Sequence, residues 1–194
     1  MDKARGPRLS VFGLLLLPLI AGGTVGAAAP QPHGHWSGHL ASAGAAAGQL
    51  AALAVIAALL RRRLRSSKVV LTAAVAIGLS LEVVGNSIAA NSIWATPYGD
   101  EEAGVIGPLK DGFELGHTMA SSGDAVAVIS ATVLAGSFLA VDTIPPVVPV
   151  VSIGLCFIPP PWVVPVIGCT FMLTYYLAFP RERQTVSAPP ATST

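Results

Sequence analysis

The chain has 194 residues, 53% hydrophobic and only 11% charged, with a formal net charge of +1 and a mean hydropathy of +0.68. Soluble domains carry about 25% charged residues, so the composition argues against a soluble globular domain, which would lack the polar surface to stay dissolved. The near-zero net charge leaves no electrostatic footprint for nucleic acid, while the Ala, Val, Leu, Ile and Gly bulk is that of lipid-facing helices packed through small residues.

The first 28 residues have the three parts of a secretory signal peptide: a basic head (Lys3, Arg5, Arg8), an apolar stretch from Leu9 to Ala21, and small residues over 25–29. An uncleaved signal-anchor helix is the rival reading, because the apolar and small residues together reach about the 20 needed to span. Both readings put residue 30 outside the cytoplasm. Residues 29–39 form an extracytoplasmic segment containing His33, His35 and His39.

Residues 40–60 make the first clear span. It contains Gly44 and Gly48, a GxxxG spacing through which another membrane protein or a second copy of the chain could pack. Arg61, Arg62, Arg63, Arg65 and Lys68 follow, and a short basic loop of this kind stays cytoplasmic. Residues 69–95 form the second span, closing on Trp94 near Tyr98, where interfacial aromatics belong. An acidic loop leads to the third span, 115–140. The last apolar run, 144–179, is too long for one ordinary span and is broken by Pro159, Pro160 and Pro161. It is read as a hairpin of two short helices, 144–158 and 162–179, turning at the prolines, with a re-entrant course as the alternative for the first of them. A hairpin returns Arg181 and Arg183 to the cytoplasm, so that ten of the eleven Lys and Arg lie on that side. Residues 181–194, rich in Ser, Thr, Pro and Ala, read as a disordered cytoplasmic tail.

The expected fold is therefore an all-α integral membrane protein, a small polytopic helical bundle in the lipid bilayer of the plasma (cytoplasmic) membrane. It has five transmembrane helices after the signal peptide, or six if that segment is retained.

Ionisable groups inside a span are costly and usually mark function. Two stand out: Glu82 in the second span and Asp124 in the third. Counting 1.5 Å per residue from the span ends puts both near mid-membrane, on consecutive antiparallel helices. Gly78, Glu82, Gly85 and Asn86 share one face of the second helix, while Glu114, His117, Ser121 and Asp124 share one face of the third. A polar seam is expected, running from the outer surface to a Glu82/Asp124 pair, with Asn86, His117 and Ser121 in support. Two carboxylates close together in low dielectric cannot both ionise cheaply, so such a pair shares a proton, grips a cation or donates a proton to a substrate. The bland alternative is that the acids are protonated hydrogen-bond glue between helices.

His33-x-His35 with His39 four residues on is metal-capable spacing for Cu, Zn or Ni, and neutral imidazoles suit all three. Glu114-x-x-His117 adds the i, i+3 spacing of carboxylate-bridged metal sites, though without a second copy. A solvated segment after a cleavage site is the competing reading of the outer histidines. Cys156 and Cys169 are thirteen residues apart with no CxxC, so no redox motif is read. The chain has no P-loop, GxSxG or HExxH.

Three functions fit. The first is a protein that handles a cation, a metal ion or the proton, through a His/carboxylate mouth leading to Glu82 and Asp124. The second is an accessory or assembly subunit of a larger membrane complex. The third is a membrane-embedded acid/base enzyme, an isomerase or cyclase, on a lipophilic isoprenoid-like substrate. With three Trp, three Tyr and six Phe, the chain is short of the aromatic walls a carbocation needs.

Overall fold

The structure is a computed structural model, and it describes residues 20–21, 24, 34–94, 108–142, 144–157 and 167–178. The expected signal segment, His33, the proline turn and the tail lie outside the described residues, apart from residues 20–21 and 24 of the first. Among the described residues the protein is all-helical. The principal helices are α1 (Gly34–Leu60), α2 (Ser66–Trp94), α3 (Pro108–Gly136), α4 (Val147–Leu155) and α5 (Ile167–Ala178).

Three of these, α1, α2 and α3, are long and apolar enough to cross a membrane. They form an up-down-up bundle in which α1 and α2 are joined by the basic turn at residues 61–65. The third helix begins seven residues before the expected span, at Pro108. Proline suits a first helical turn because its missing N–H has no intrahelical acceptor there, and Asp111 favours the positive end of the helix dipole. It also ends earlier than expected, at Gly136. Residues 137–140 instead form tight turns, with Phe138 N–H bonded to Ala135 O and Leu139 N–H to Gly136 O. Lys68 closes this end: its Nζ donates to Ser137 O at 3.3 Å and lies 4.7 Å from the Phe138 ring centroid. The ammonium thereby satisfies a carbonyl left over by the helix end, while its stem lies along apolar surface.

The last two helices, of 9 and 12 residues, are about 14 and 18 Å long. Both fall short of a hydrocarbon core of about 30 Å. They pack against each other and against α3, and α5 also packs on α1. Gly168, at the start of α5, sits against Ser152 and Cys156 at the end of α4. At its other end α5 returns to the basic side, where Tyr176 meets Phe138 at 5.1 Å between ring centroids. The tip of this pair reaches the middle of α1, where Thr170 Oγ1 donates to Gln49 Oε1 at 2.6 Å. The core lies in this half of the bundle. Leu53, Ile56, Leu60, Leu79, Leu134, Phe138, Met172 and Leu173 are all fully buried there.

Candidate functional site

The site is built on the contact between α2 and α3. Gly78 and Gly85 on α2 meet Gly123 and Gly116 on α3, so that the backbones themselves touch. A Cβ at Gly78 would lie 2.6 Å from both Ala127 N and Gly123 O, and one at Gly116 would lie 2.6 Å from Ala89 N and Gly85 O. Real Cβ atoms do not approach this closely, so only glycine permits the packing, the small-residue route to helix association in membranes. The same contact fixes the register: Gly123 faces the Glu82 backbone N, which sets Asp124 beside Glu82.

Depth follows from that register. Lys68 and Ser137 mark a common level at the basic end. Glu82 then stands about 21 Å above it and Asp124 about 20 Å. Glu82 is only 6% exposed and Asp124 is half-buried. Glu82 Oε1 and Asp124 Oδ1 are enclosed, and neither has a hydrogen-bond partner among the described residues. An enclosed carboxyl oxygen without a donor is costly. The pair is thus open to a proton, a cation or a donating group.

The third helix of the site is α1. His39 Nδ1 and Asn86 Oδ1 are 2.9 Å apart, and Asn86 Nδ2 donates to Glu82 O at 3.1 Å. Because the amide nitrogen is committed to that carbonyl, the imidazole Nδ1–H donates to Asn86. His117 lies edge-on to His39 with ring centroids 5.7 Å apart, and Phe113 touches both rings, at 5.8 Å from His39 and 5.6 Å from His117. The site thus runs from the paired rings of His117 and His39 at the outer end, past Asn86, to Glu82 and Asp124.

Not all of the expected stripe on α3 joins this seam. His117 and Ser121 are exposed, and Glu114 is exposed with its carboxylate 3.7 Å from Lys110 Nζ. The side that packs on α2 is Gly116, Ala120, Gly123 and Ala127, so Glu114 and Ser121 fall on the outward side of the helix. Among the described residues no group of three His, Cys, Asp or Glu side chains converges as a metal site. His35 is on α1, but its side chain lies outside the described residues. On α1, Gly48 is buried within the bundle and Gly44 half-buried.

Three features escaped the sequence reading. One is the role of His39 as the link from α1 to Asn86. Another is the glycine contact, whose signal was available in Gly78/Gly85 and Gly116/Gly123, each pair seven residues apart on consecutive spans. The last is the Gln49–Thr170 clamp, joined across 121 residues, for which no local signal exists.

Compared with protein-family models, curated proteins and solved structures, the chain matches none.

Proposed function

We propose that this is a small polytopic membrane protein that handles a cation, in the first instance the proton, along the seam from His117 and His39 through Asn86 to Glu82 and Asp124. The observation that carries the reading is the enclosure of Glu82 Oε1 and Asp124 Oδ1, level with each other and without a partner among the described residues, beneath a histidine bonded to the Asn86 side chain, which in turn donates to the Glu82 carbonyl. A purely adhesive role is met by acids that bond across the helix contact, and these oxygens do not. The two imidazoles stand at the outer end, where their ring nitrogens can pass a proton that the carboxyl pair then holds. A Cu, Zn or Ni ion at the mouth needs donors beyond His39 and His117, and His33 and His35 are the residues to supply them. In this reading the basic turn Arg61–Lys68 faces the cytoplasm of a plasma-membrane protein. The α4/α5 pair is a re-entrant hairpin from that face, which brings the C-terminus back to it.

The test is proton flux into liposomes carrying the purified protein and an internal pH-sensitive dye. Wild-type protein should dissipate an imposed gradient, and Glu82→Gln and Asp124→Asn should each reduce the rate by tenfold or more at unchanged melting temperature. Equal rates for wild type and both variants would defeat the proposal, as would no flux above empty liposomes.

One observation favours a second reading, an accessory subunit. Thr118, Ser121 and Ser122 are exposed on the outward side of α3, where an isolated bundle presents them to lipid. A partner helix would cover them and satisfy their hydrogen bonds. Purification from native membranes as a single-copy particle without companions removes that reading.

A further inference from the structure

A groove of about 320 Å³ opens between α1 and α2 in the half of the bundle nearest the basic turn, within the size range of small-ligand sites. Its walls are apolar, with Leu53, Ala57, Val69, Ala73 and Ala76 among them, and it runs from Leu50 to Arg61. The eleven helical residues from Leu50 to Leu60 cover about 16 Å, matching the depth of one leaflet's hydrocarbon, about 15 Å. At its mouth stands Arg61, next to Arg62, Arg63 and Arg65. All four guanidiniums are exposed, and none has an ion pair among the described residues.

We infer that this groove holds one acyl chain of an anionic phospholipid whose phosphate-bearing headgroup is gripped by Arg61. The alanines at 57, 73 and 76 leave room for a chain where larger residues would fill the cleft. A guanidinium offers a phosphate paired donors in a fixed plane. Depth, apolar walls and a cationic rim together fit a lipid standing in its own leaflet with its headgroup at the turn. A soluble anion would have no use for the apolar length, and a neutral lipid none for the guanidinium at its rim. This inference is independent of the proton seam, which lies between α2 and α3 in the other half of the bundle.

Native mass spectrometry of the full chain, released from vesicles of equal parts dioleoyl-phosphatidylglycerol and dioleoyl-phosphatidylcholine, tests it. One phosphatidylglycerol should be retained in at least tenfold preference to phosphatidylcholine. Arg61→Gln should remove most of that preference, whereas Arg62→Gln, a cation outside the groove wall, should leave it within twofold. Ala73→Leu should cut retention of both lipids several-fold by filling the groove, with proton flux unchanged. No preference in the wild type overturns the inference. So does equal loss in Arg61→Gln and Arg62→Gln, which indicates diffuse surface attraction. Retention indifferent to Ala73→Leu also overturns it, since the groove is then occupied by protein, either another part of this chain or a second copy.

Discussion

The two halves of the bundle are built by opposite means. Nearest the basic turn, five helices share a core of large side chains, with Phe138, Leu134, Ile56, Leu60 and Met172 fully buried and the α4/α5 pair wedged against α1 and α3. In the other half only α1, α2 and α3 remain. Most of their buried contacts are small residues, Ala41, Ala43, Ala89, Ala90, Gly85 and Gly116, beside Ile93, and the His39 to Asn86 side-chain hydrogen bond crosses from α1. The first half holds together by volume and the second by close backbone approach. A half with little side-chain bulk leaves space for polar groups, and that is where the acids and histidines lie. The lesson is a division of labour along the membrane normal: the bulky half anchors the bundle so that the thin half can tolerate unpartnered carboxyl oxygens.

That comparison can be broken or sharpened by substitution. The largest stability loss should come from Phe138→Ala, which removes the ring packed by Tyr176 and Lys68. Truncations of this kind cost about 3–5 kcal/mol in buried cores, read as a lower midpoint in detergent-denaturant titration. If this variant is no weaker than the glycine variants below, the bulky half is not the anchor. Gly85→Ala or Gly116→Ala comes next, at about 1–3 kcal/mol, the usual cost of overpacking. Each forces α2 and α3 apart, so proton flux should fall with stability. A melt within 1 °C of wild type for both would show that the backbones do not touch.

A smaller effect is expected from His39→Ala or Asn86→Ala. Hydrogen bonds between membrane helices average about 0.6 kcal/mol, so the melt should scarcely move while the flux drops. Loss of flux without loss of stability would separate the relay from the scaffold. The smallest is Ser121→Ala, an exposed position where changes stay within about 0.5 kcal/mol. A large flux defect there would return Ser121 to the seam from which its outward position removes it.

Much of the scaffold was legible without coordinates. Glu82 and Asp124 could be singled out because a charge amid twenty apolar residues is costly wherever the chain folds, and their depths follow from helical rise alone. The stripe Glu114, His117, Ser121 and Asp124 was less secure. Spacing says which residues share a helix face, but not which face meets a neighbour, and α3 turned Gly116 and Gly123 inward instead.

What the sequence determined by itself is the helical membrane class, the three long apolar segments and the presence of two acids within them. These depend on composition and on a period fixed by the backbone. The tertiary structure alone decided that His39 reaches Asn86, that Gln49 clamps Thr170 from 121 residues away, and that Glu82 Oε1 and Asp124 Oδ1 are enclosed without a donor among the described residues. Such outcomes depend on the rotation and offset of whole helices, which are set by how their smallest residues fit together across space.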